Sequence, residues 1–305
     1  MIKESINNQR KAHQVLIENK LSFAGESSEL SIYDTFEHAS NIKLASDQLM
    51  FCGMVSGKKI MHANQGSFET DFLPHESFVM APNRPVEIDF PNATIELPTT
   101  CIAIEIGSDR IKKVCDDLNV STPLSAYKQE WQYDEKMFHT HHNTQTQALL
   151  DRMVHIFTEN HQDRNFMIDL AVHELTARLL RHQARDFIVN HSLAQPDFNG
   201  INNVITYLQN HLKEEINIDS LSKLACMSRT KFFNEFKQTM GSTPQEFLFQ
   251  LRLTKAADLL KNHHSITQTC FAIGYLNTSH FSRSFKKFYG MSPTTYKLRH
   301  NNLAV

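Results

Sequence analysis

Apolar positions along the chain follow two different periods. From about Ser31 to Ile106 they recur at every second residue in short runs. Phe68-Glu-Thr-Asp-Phe72 contains an alternation, Val86-Glu-Ile88-Asp-Phe90 is strictly alternating, and Ile102-Ala-Ile104-Glu-Ile106 repeats it. The connectors Leu73-Pro-His-Glu-Ser77, Ala81-Pro-Asn-Arg-Pro85 and Leu97-Pro-Thr-Thr100 supply turn residues between the runs. Many short strands at this spacing predict a small antiparallel barrel or sandwich. The first 25 residues hold one apolar cluster, Val15, Leu16 and Ile17, and predict a short helix or arm.

After Ser108 the period becomes that of a helix. Ile111, Val114, Cys115 and Leu118 share one face of 109–118, and Leu149, Leu150, Met153, Val154 and Phe157 share one face of 146–159. Residues 165–185 place Ile168, Val172, Leu175 and Leu179 in a stripe that reads as core packing against the barrel or as a homodimer seam. Residues 191–200 break the helical pattern. They predict a linker between an N-terminal domain of 1–190, with strands over about 31–106 and helices over about 108–188, and a C-terminal domain of 201–305 that opens with Val204, Ile205, Leu208 and Leu212.

The C-terminal domain contains one pattern twice. Ser228, Phe232, Phe236, Gly241, Pro244 and Phe247 recur as Asn277, Phe281, Phe285, Gly290, Pro293 and Tyr296 at an offset of 49. Ser228 and Asn277 have the chemistry of helix N-caps, the Phe pairs four apart anchor one face, and the Gly and Pro residues suit a helix end and the first turn of the next helix. Upstream, Ile218, Leu221, Ser222 and Ala225 match Ile266, Thr269, Cys270 and Ile273 at an offset of 48, so the second copy gains one residue around Leu276. Each copy therefore predicts helix, tight turn, helix: the helix-turn-helix plan, whose second helix enters a major groove. Between the copies, 244–261 predicts a long connecting helix.

Charge divides along the same line. From Gly200 onward the chain has 13 Lys+Arg against 6 Asp+Glu, net +7, whereas the preceding residues have 18 against 27, net −9. A basic C-terminal third suits phosphate, and the acidic remainder does not. A hydrophobic content of 41% with 21% charged residues argues against a largely disordered chain. No apolar run approaches bilayer-spanning length and the first residues lack an apolar signal core, so a cytoplasmic protein with no membrane partner is expected.

Arg252-Leu-Thr-Lys-Ala256-Ala-Asp-Leu259-Leu260, Ile273-Gly274-Tyr275 and His280-Phe281-Ser282-Arg283-Ser-Phe285-Lys286-Lys287, with Gly290 and Pro293, resemble the DNA-binding domain of the AraC/XylS family of bacterial transcription regulators. The resemblance covers roughly the last hundred residues, and it departs at Cys226, where the first turn often has Gly. It implies an α+β protein of two domains: an N-terminal antiparallel cupin-like β barrel with following helices, holding a small-molecule effector, and a C-terminal all-α double helix-turn-helix domain. The Gly66-x-Phe68 and Pro-rich strand-turn-strand run is similar to cupin-like domains. Double-stranded promoter DNA, a homodimer partner and, for an activator, RNA polymerase are the implied partners. The alternatives are a ligand-independent regulator, whose N-terminal domain dimerises or contacts protein, and a cupin-type metalloenzyme fused to a DNA-binding domain.

Helix geometry turns Phe232 and Phe236 inward and leaves Thr230, Lys231, Phe233, Asn234 and Lys237 on or near the outer face. In the second copy Phe281 and Phe285 turn inward, leaving Thr278, Ser279, His280, Ser282 and Arg283 outward. The resemblance implies Thr230, Phe233 and Asn234 as base-edge contacts. Asn can pair bidentately with adenine, Phe can meet a thymine methyl, and Arg283 can take guanine O6 and N7 together. Ser279, His280 and Ser282 complete the base-reading candidates, and Lys231, Lys237, Lys286 and Lys287 are the phosphate candidates. An ordinary solvated helix face is the other reading of any one of these positions.

Nothing in the sequence specifies catalysis. The five cysteines are scattered with no Cys-x-x-Cys pair and read as buried thiols, with redox sensing as the alternative. His38, His62 and His75 form no His-x-His pair and read as surface or ordinary core histidines, and the cluster His139-Thr-His141-His142 has no carboxylate or Cys close in sequence and reads as a solvated loop or helix start; a metal site is the alternative for each. No enzymatic activity, metal or cofactor is expected.

Overall fold

A computed structural model of the chain describes residue 6 and residues 15–63, 68–124, 129–142, 144–194 and 200–301. The chain divides into two compact units, Met1–Asp116 with Tyr133–Ala177 and Asp117–Gln132 with Arg178–Val305.

The first unit is built on two antiparallel sheets. One has the strand order β1 (Asn19–Gly25), β2 (Ser28–Thr35), β9 (Thr99–Ile106), β4 (Leu49–Ser56), β7 (Glu76–Met80), β10 (Phe138–His141). The other has the order β3 (Ala39–Leu44), β8 (Val86–Phe90), β5 (Lys59–Ala63), β6 (Phe68–Phe72). The alternation in 86–90 does what its period requires: Val86, Ile88 and Phe90 are buried, while Glu87 and Asp89 are partly exposed. These three meet Met61, Ala63 and Phe72 of their own sheet and Met50, Cys52, Met54, Phe78, Met80, Cys101 and Ala103 of the other in one apolar cluster.

Two expectations are corrected here. Part of the supposed N-terminal helix or arm is a strand, because Asn19–Gly25 pairs with Ser28–Asp34 through a two-residue turn. The histidine cluster is not a loop or helix start: Phe138–His141 adds β10 to the edge of β7. That pairing brings Glu76, distant in sequence, to 2.9 Å from His139 Nε2.

The same alternation turns Lys59 inward beside Met61 and Ala63. Its Nζ donates to Glu18 Oε1 at 2.9 Å and Cys101 Sγ at 3.1 Å, and lies 5.0 Å from the centre of the Phe90 ring. An ammonium unpaired in this core would cost several kcal/mol. Burial pulls the Lys59 pKa down, but the Cys101 sulfur and the Glu18 carboxylate outweigh it and hold Lys59 above the usual lysine range.

Three helices follow, α1 (Ser108–Ser121), α2 (Thr144–Thr158) and α3 (Arg164–Ala194), and α2 and the first part of α3 pack on the six-stranded sheet. A Cβ on Gly25 would lie 2.9 Å from Ile168 and 3.2 Å from Phe157, and one on Gly53 would lie 3.4 Å from Leu150. Arg110 of α1 is ion-paired with Asp169 of α3. Ile168, Val172, Leu175 and Leu179 are all buried within the chain, so the stripe is core, and among the described side chains of α3 the exposed large apolar residues are Phe166, Leu170 and Phe187. His191–Ala194, expected in the connecting segment, belong to α3, and 195–199 lie outside the described residues.

The second unit takes Arg178–Ala194 of α3, then α4 (Gly200–Asn210), α5 (Ile218–Leu224), α6 (Arg229–Met240), α7 (Pro244–Lys261), α8 (Ile266–Ala272), α9 (Thr278–Tyr289) and α10 (Pro293–Asn301). No described helix is long and apolar enough to cross a membrane.

Candidate nucleic-acid interface

The turns between α5 and α6 and between α8 and α9 close with the same hydrogen bonds. Met227 N donates to Ser222 O at 3.0 Å, and Tyr275 N donates to Cys270 O at 3.1 Å. Both turns need one left-handed residue: Cys226 with φ 55° in the first and Gly274 with φ 85° in the second. The second turn has one residue more, and it leaves Leu276 90% exposed.

Ser228 and Asn277 cap α6 and α9. Ser228 Oγ accepts from Lys231 N, and Asn277 Oδ1 accepts from Ser279 N and His280 N. Gly241 and Gly290 end the two helices at φ 68° and 72°, both left-handed. Between caps, Phe232, Phe236 and Met240 of α6 and Phe281, Phe285 and Tyr289 of α9 are buried. With that face committed to packing, the opposite one is presented to solvent. Thr230, Lys231, Asn234 and Lys237 are exposed on α6, as are Ser279, His280, Arg283, Lys286 and Lys287 on α9; Phe233 and Ser282 are half-buried at the margin. The candidates thus share two helix faces.

The connector holds those faces still. Thr243 and Glu246 form a capping box at the start of α7, and the Thr243 N–H and hydroxyl hold the Glu246 carboxyl below the usual carboxylate range. Arg252 donates from Nε to Leu212 O at 2.6 Å and from Nη2 to Glu214 O at 2.8 Å. A Cβ on Gly274 would lie 2.6 Å from Lys213 Cα, so the second turn rests on the same segment that Arg252 holds. Tyr289 Oη donates to Leu253 O at 3.2 Å. Rigid spacing of two reading helices is what a bipartite site on one face of a duplex requires.

A model of the AraC-type transcriptional regulator N-terminus matches residues 26–187, and a helix-turn-helix domain model matches 221–299. The chain belongs to the AraC-type transcriptional regulators. LumQ of Photobacterium leiognathi, named as a transcriptional regulator, is 28% identical over 153 residues, which are 43% of this chain and 62% of LumQ. The transcriptional activator RhaS of Escherichia fergusonii is 33% identical over 94 residues, 30% of this chain and 34% of RhaS. The matched segments thus span less than two thirds of either relative. Among solved structures, ToxT of Vibrio cholerae aligns at 12% identity and a TM-score of 0.37, over 90% of this chain and 98% of that one.

Three residues on or beside the helix-turn-helix units had no place among the candidates. Arg229, the first residue of α6, is exposed with its guanidinium 3.6 Å from Asp219. Its position directly after an N-cap was the signal that could have found it. Arg252 belongs to the family signature and holds the backbone carbonyls of Leu212 and Glu214, and burial lowers its pKa from the ordinary arginine range. Leu276 projects from the second turn. Of the cysteines, Cys226 is exposed and the other four are buried. Among the described residues, no group of three or more His, Cys, Asp and Glu side chains could hold a metal ion.

Proposed function

We propose that this AraC-type regulator binds promoter DNA sequence-specifically by placing α6 and α9 in successive major grooves. The observation that carries this reading is the repetition itself: two capped helices with the same buried aromatics present outer faces of different polar chemistry. Thr230, Phe233, Asn234, Ser279, His280, Ser282 and Arg283 read base edges, and Lys231, Lys237, Lys286 and Lys287 hold phosphates. Arg229 joins the phosphate set. In functional terms the chain divides into an effector-sensing domain of 1–190 and a DNA-binding domain of 201–305, with the end of α3 leading from one to the other.

The N-terminal sheets hold a small-molecule effector that controls DNA binding. Support comes from the Lys59–Glu18 pair, an ionic pair set against the apolar cluster that the two sheets enclose. The protein works in the cytoplasm, pairs as a homodimer, contacts RNA polymerase where it activates, and catalyses no reaction.

The test is binding of the full-length protein to a duplex from its own upstream region over a salt series, with an unrelated duplex of equal length as control. Tight, selective binding is expected. Failure to bind either duplex at low salt overturns the reading.

A further inference from the structure

The inner faces of α6 and α9 carry equivalent ladders of aromatic rings, and the two ladders end differently. In the second copy Phe281 meets Phe285 edge to face at 5.6 Å, and Phe285 meets Tyr296 likewise at 5.3 Å. That ladder ends on His300, one turn along from Tyr296 on α10, at 4.4 Å. In the first copy Phe232 meets Phe236 at 5.7 Å and Phe236 meets Phe247 at 5.6 Å. This ladder ends on the guanidinium of Arg185, which lies 4.9 Å from the centre of the Phe247 ring and comes from α3.

Arg181, one turn earlier on α3, reaches the same place. A Cβ on Gly241 would lie 2.8 Å from Arg181 Cδ, so the left-handed glycine that ends α6 also makes room for that stem. The Arg181 guanidinium lies 5.2 Å from the centre of the Trp131 ring. All these residues belong to the second unit. Arg181 therefore stands at the end of α6, where unpaired carbonyls concentrate negative charge, and Arg185 stands on the Phe247 ring. Burial lowers the pKa of both, and a partly desolvated guanidinium gains more from a ring face than an exposed one.

We propose that Arg185 is a positioning residue for DNA recognition: by stacking on Phe247 it fixes, through Phe236, the set of α6 on its connector and so which bases Thr230, Phe233 and Asn234 reach. The second recognition helix is set from within its own repeat. Arg185, which sets α6, lies in the span 26–187 matched by the family's N-terminal model, whereas Tyr296, which packs on Phe285 of α9, lies in the helix-turn-helix span 221–299. The first half-site is therefore the one open to control from outside the double helix-turn-helix.

This inference rests on the reading of α6 and α9 as DNA-reading helices, and one experiment separates the two. Full-length wild type, Arg185→Lys and Arg185→Ala are each used to select duplexes from a randomised pool, and affinities for the wild-type motif are measured. Asn234→Ala and Arg283→Ala assign the halves of that motif to α6 and α9. Wild type is expected to select a two-part motif. Arg185→Ala is expected to bind that motif about tenfold more weakly, with the loss confined to the α6 half, as removal of one buried cation–π contact implies. Arg185→Lys retains the charge without the planar stack and is expected to lose most of the same preference. Should Arg185→Ala fail to fold, Phe247→Leu fills the space without a ring face and should produce the same half-site loss. The proposal falls if Arg185→Ala selects the wild-type motif at wild-type affinity, if both halves weaken equally, or if lysine restores the α6 half. If wild type selects no motif, it is the DNA reading that fails.

Discussion

At an offset of 49 residues, Phe232, Phe236, Gly241 and Pro244 meet Phe281, Phe285, Gly290 and Pro293, identical residues in both copies, whereas Asn234 meets Arg283, Lys231 meets His280, Phe233 meets Ser282 and Gln238 meets Lys287. The conserved pairs are those the structure buries or uses to start and stop helices. The divergent pairs lie on the solvent side or at its margin. Packing one helix against one connector has few solutions, so both copies retain it. A groove-facing position is free to change, because each change alters only which base or phosphate it meets. The copies differ in charge as well: α9 has Arg283, Lys286 and Lys287 with no acid, and α6 has Arg229, Lys231 and Lys237 with Glu235.

The largest test of this comparison is on the shared face. Phe232→Ala and Phe281→Ala each remove a fully buried ring and should each destabilise the protein by about 3–5 kcal/mol, read by denaturant unfolding. Similar losses are expected because both rings sit in equivalent ladders. A loss under about 1 kcal/mol at one site would break the equivalence.

The divergent face comes next. Arg283→Asn gives α9 the residue that α6 carries at the matching position, and Asn234→Arg does the reverse. Each should move base preference in its own half-site, from guanine toward adenine for the first and from adenine toward guanine for the second, by about 1–3 kcal/mol of discrimination. Site selection with the two variants reads this directly. A uniform loss of affinity with unchanged preference would remove both residues from the base-reading set.

Lys287 has no basic counterpart in α6, since Gln238 stands there. Lys287→Ala should weaken binding on cognate and unrelated duplexes alike and reduce the slope of log affinity against log salt by about one. Gln238→Lys should raise that slope by a similar amount. A change on the cognate duplex alone would make Lys287 a base reader.

The repeat made the C-terminal architecture legible, because caps, anchoring rings and helix stops recur in register and each has one structural meaning. The expected connector of 244–261 is α7 to the residue. In the barrel, Val86–Phe90 and Phe68–Phe72 could be read because their two faces differ in polarity. Strand β1 could not, although Leu21 and Phe23 alternate with Lys20 and Ser22: neither face of this edge is fully buried, the apolar signal is only two residues long, and the strand is placed by pairing with β2 and by α2 and α3 above Gly25. Strand β10 was hidden for a related reason, since its His139 is partnered by Glu76, and His142 just beyond it by Ser77, both from another strand. Lys59 looks like a solvated charge in a short polar-apolar run, and only its neighbours across the barrel reveal an inward position. At the interface the exposed faces followed from helical period once Phe232 and Phe281 were anchored. The role of Arg185 did not, because its ring partner lies 62 positions along the chain.

The turns are the smallest difference between the copies, and they invert the usual relation between packing and backbone. Gly274 is forced twice, by φ 85° and by the Lys213 backbone that a Cβ would meet at 2.6 Å. Cys226 occupies the equivalent place at φ 55°, where its side chain is exposed and gains little from packing. A non-glycine residue in this conformation carries about 1–2 kcal/mol of backbone cost, of which glycine gives part back through its greater unfolded-state freedom. Cys226→Gly is therefore expected to stabilise the second unit by about 0.5–1 kcal/mol in denaturant unfolding, with DNA affinity unchanged. Gly274→Ala should do the opposite, and by more, because the strain and the clash with Lys213 add. If Cys226→Gly were neutral or destabilising, the thiol would be making a contribution that its exposure does not suggest, and the two turns would differ in function as well as in length.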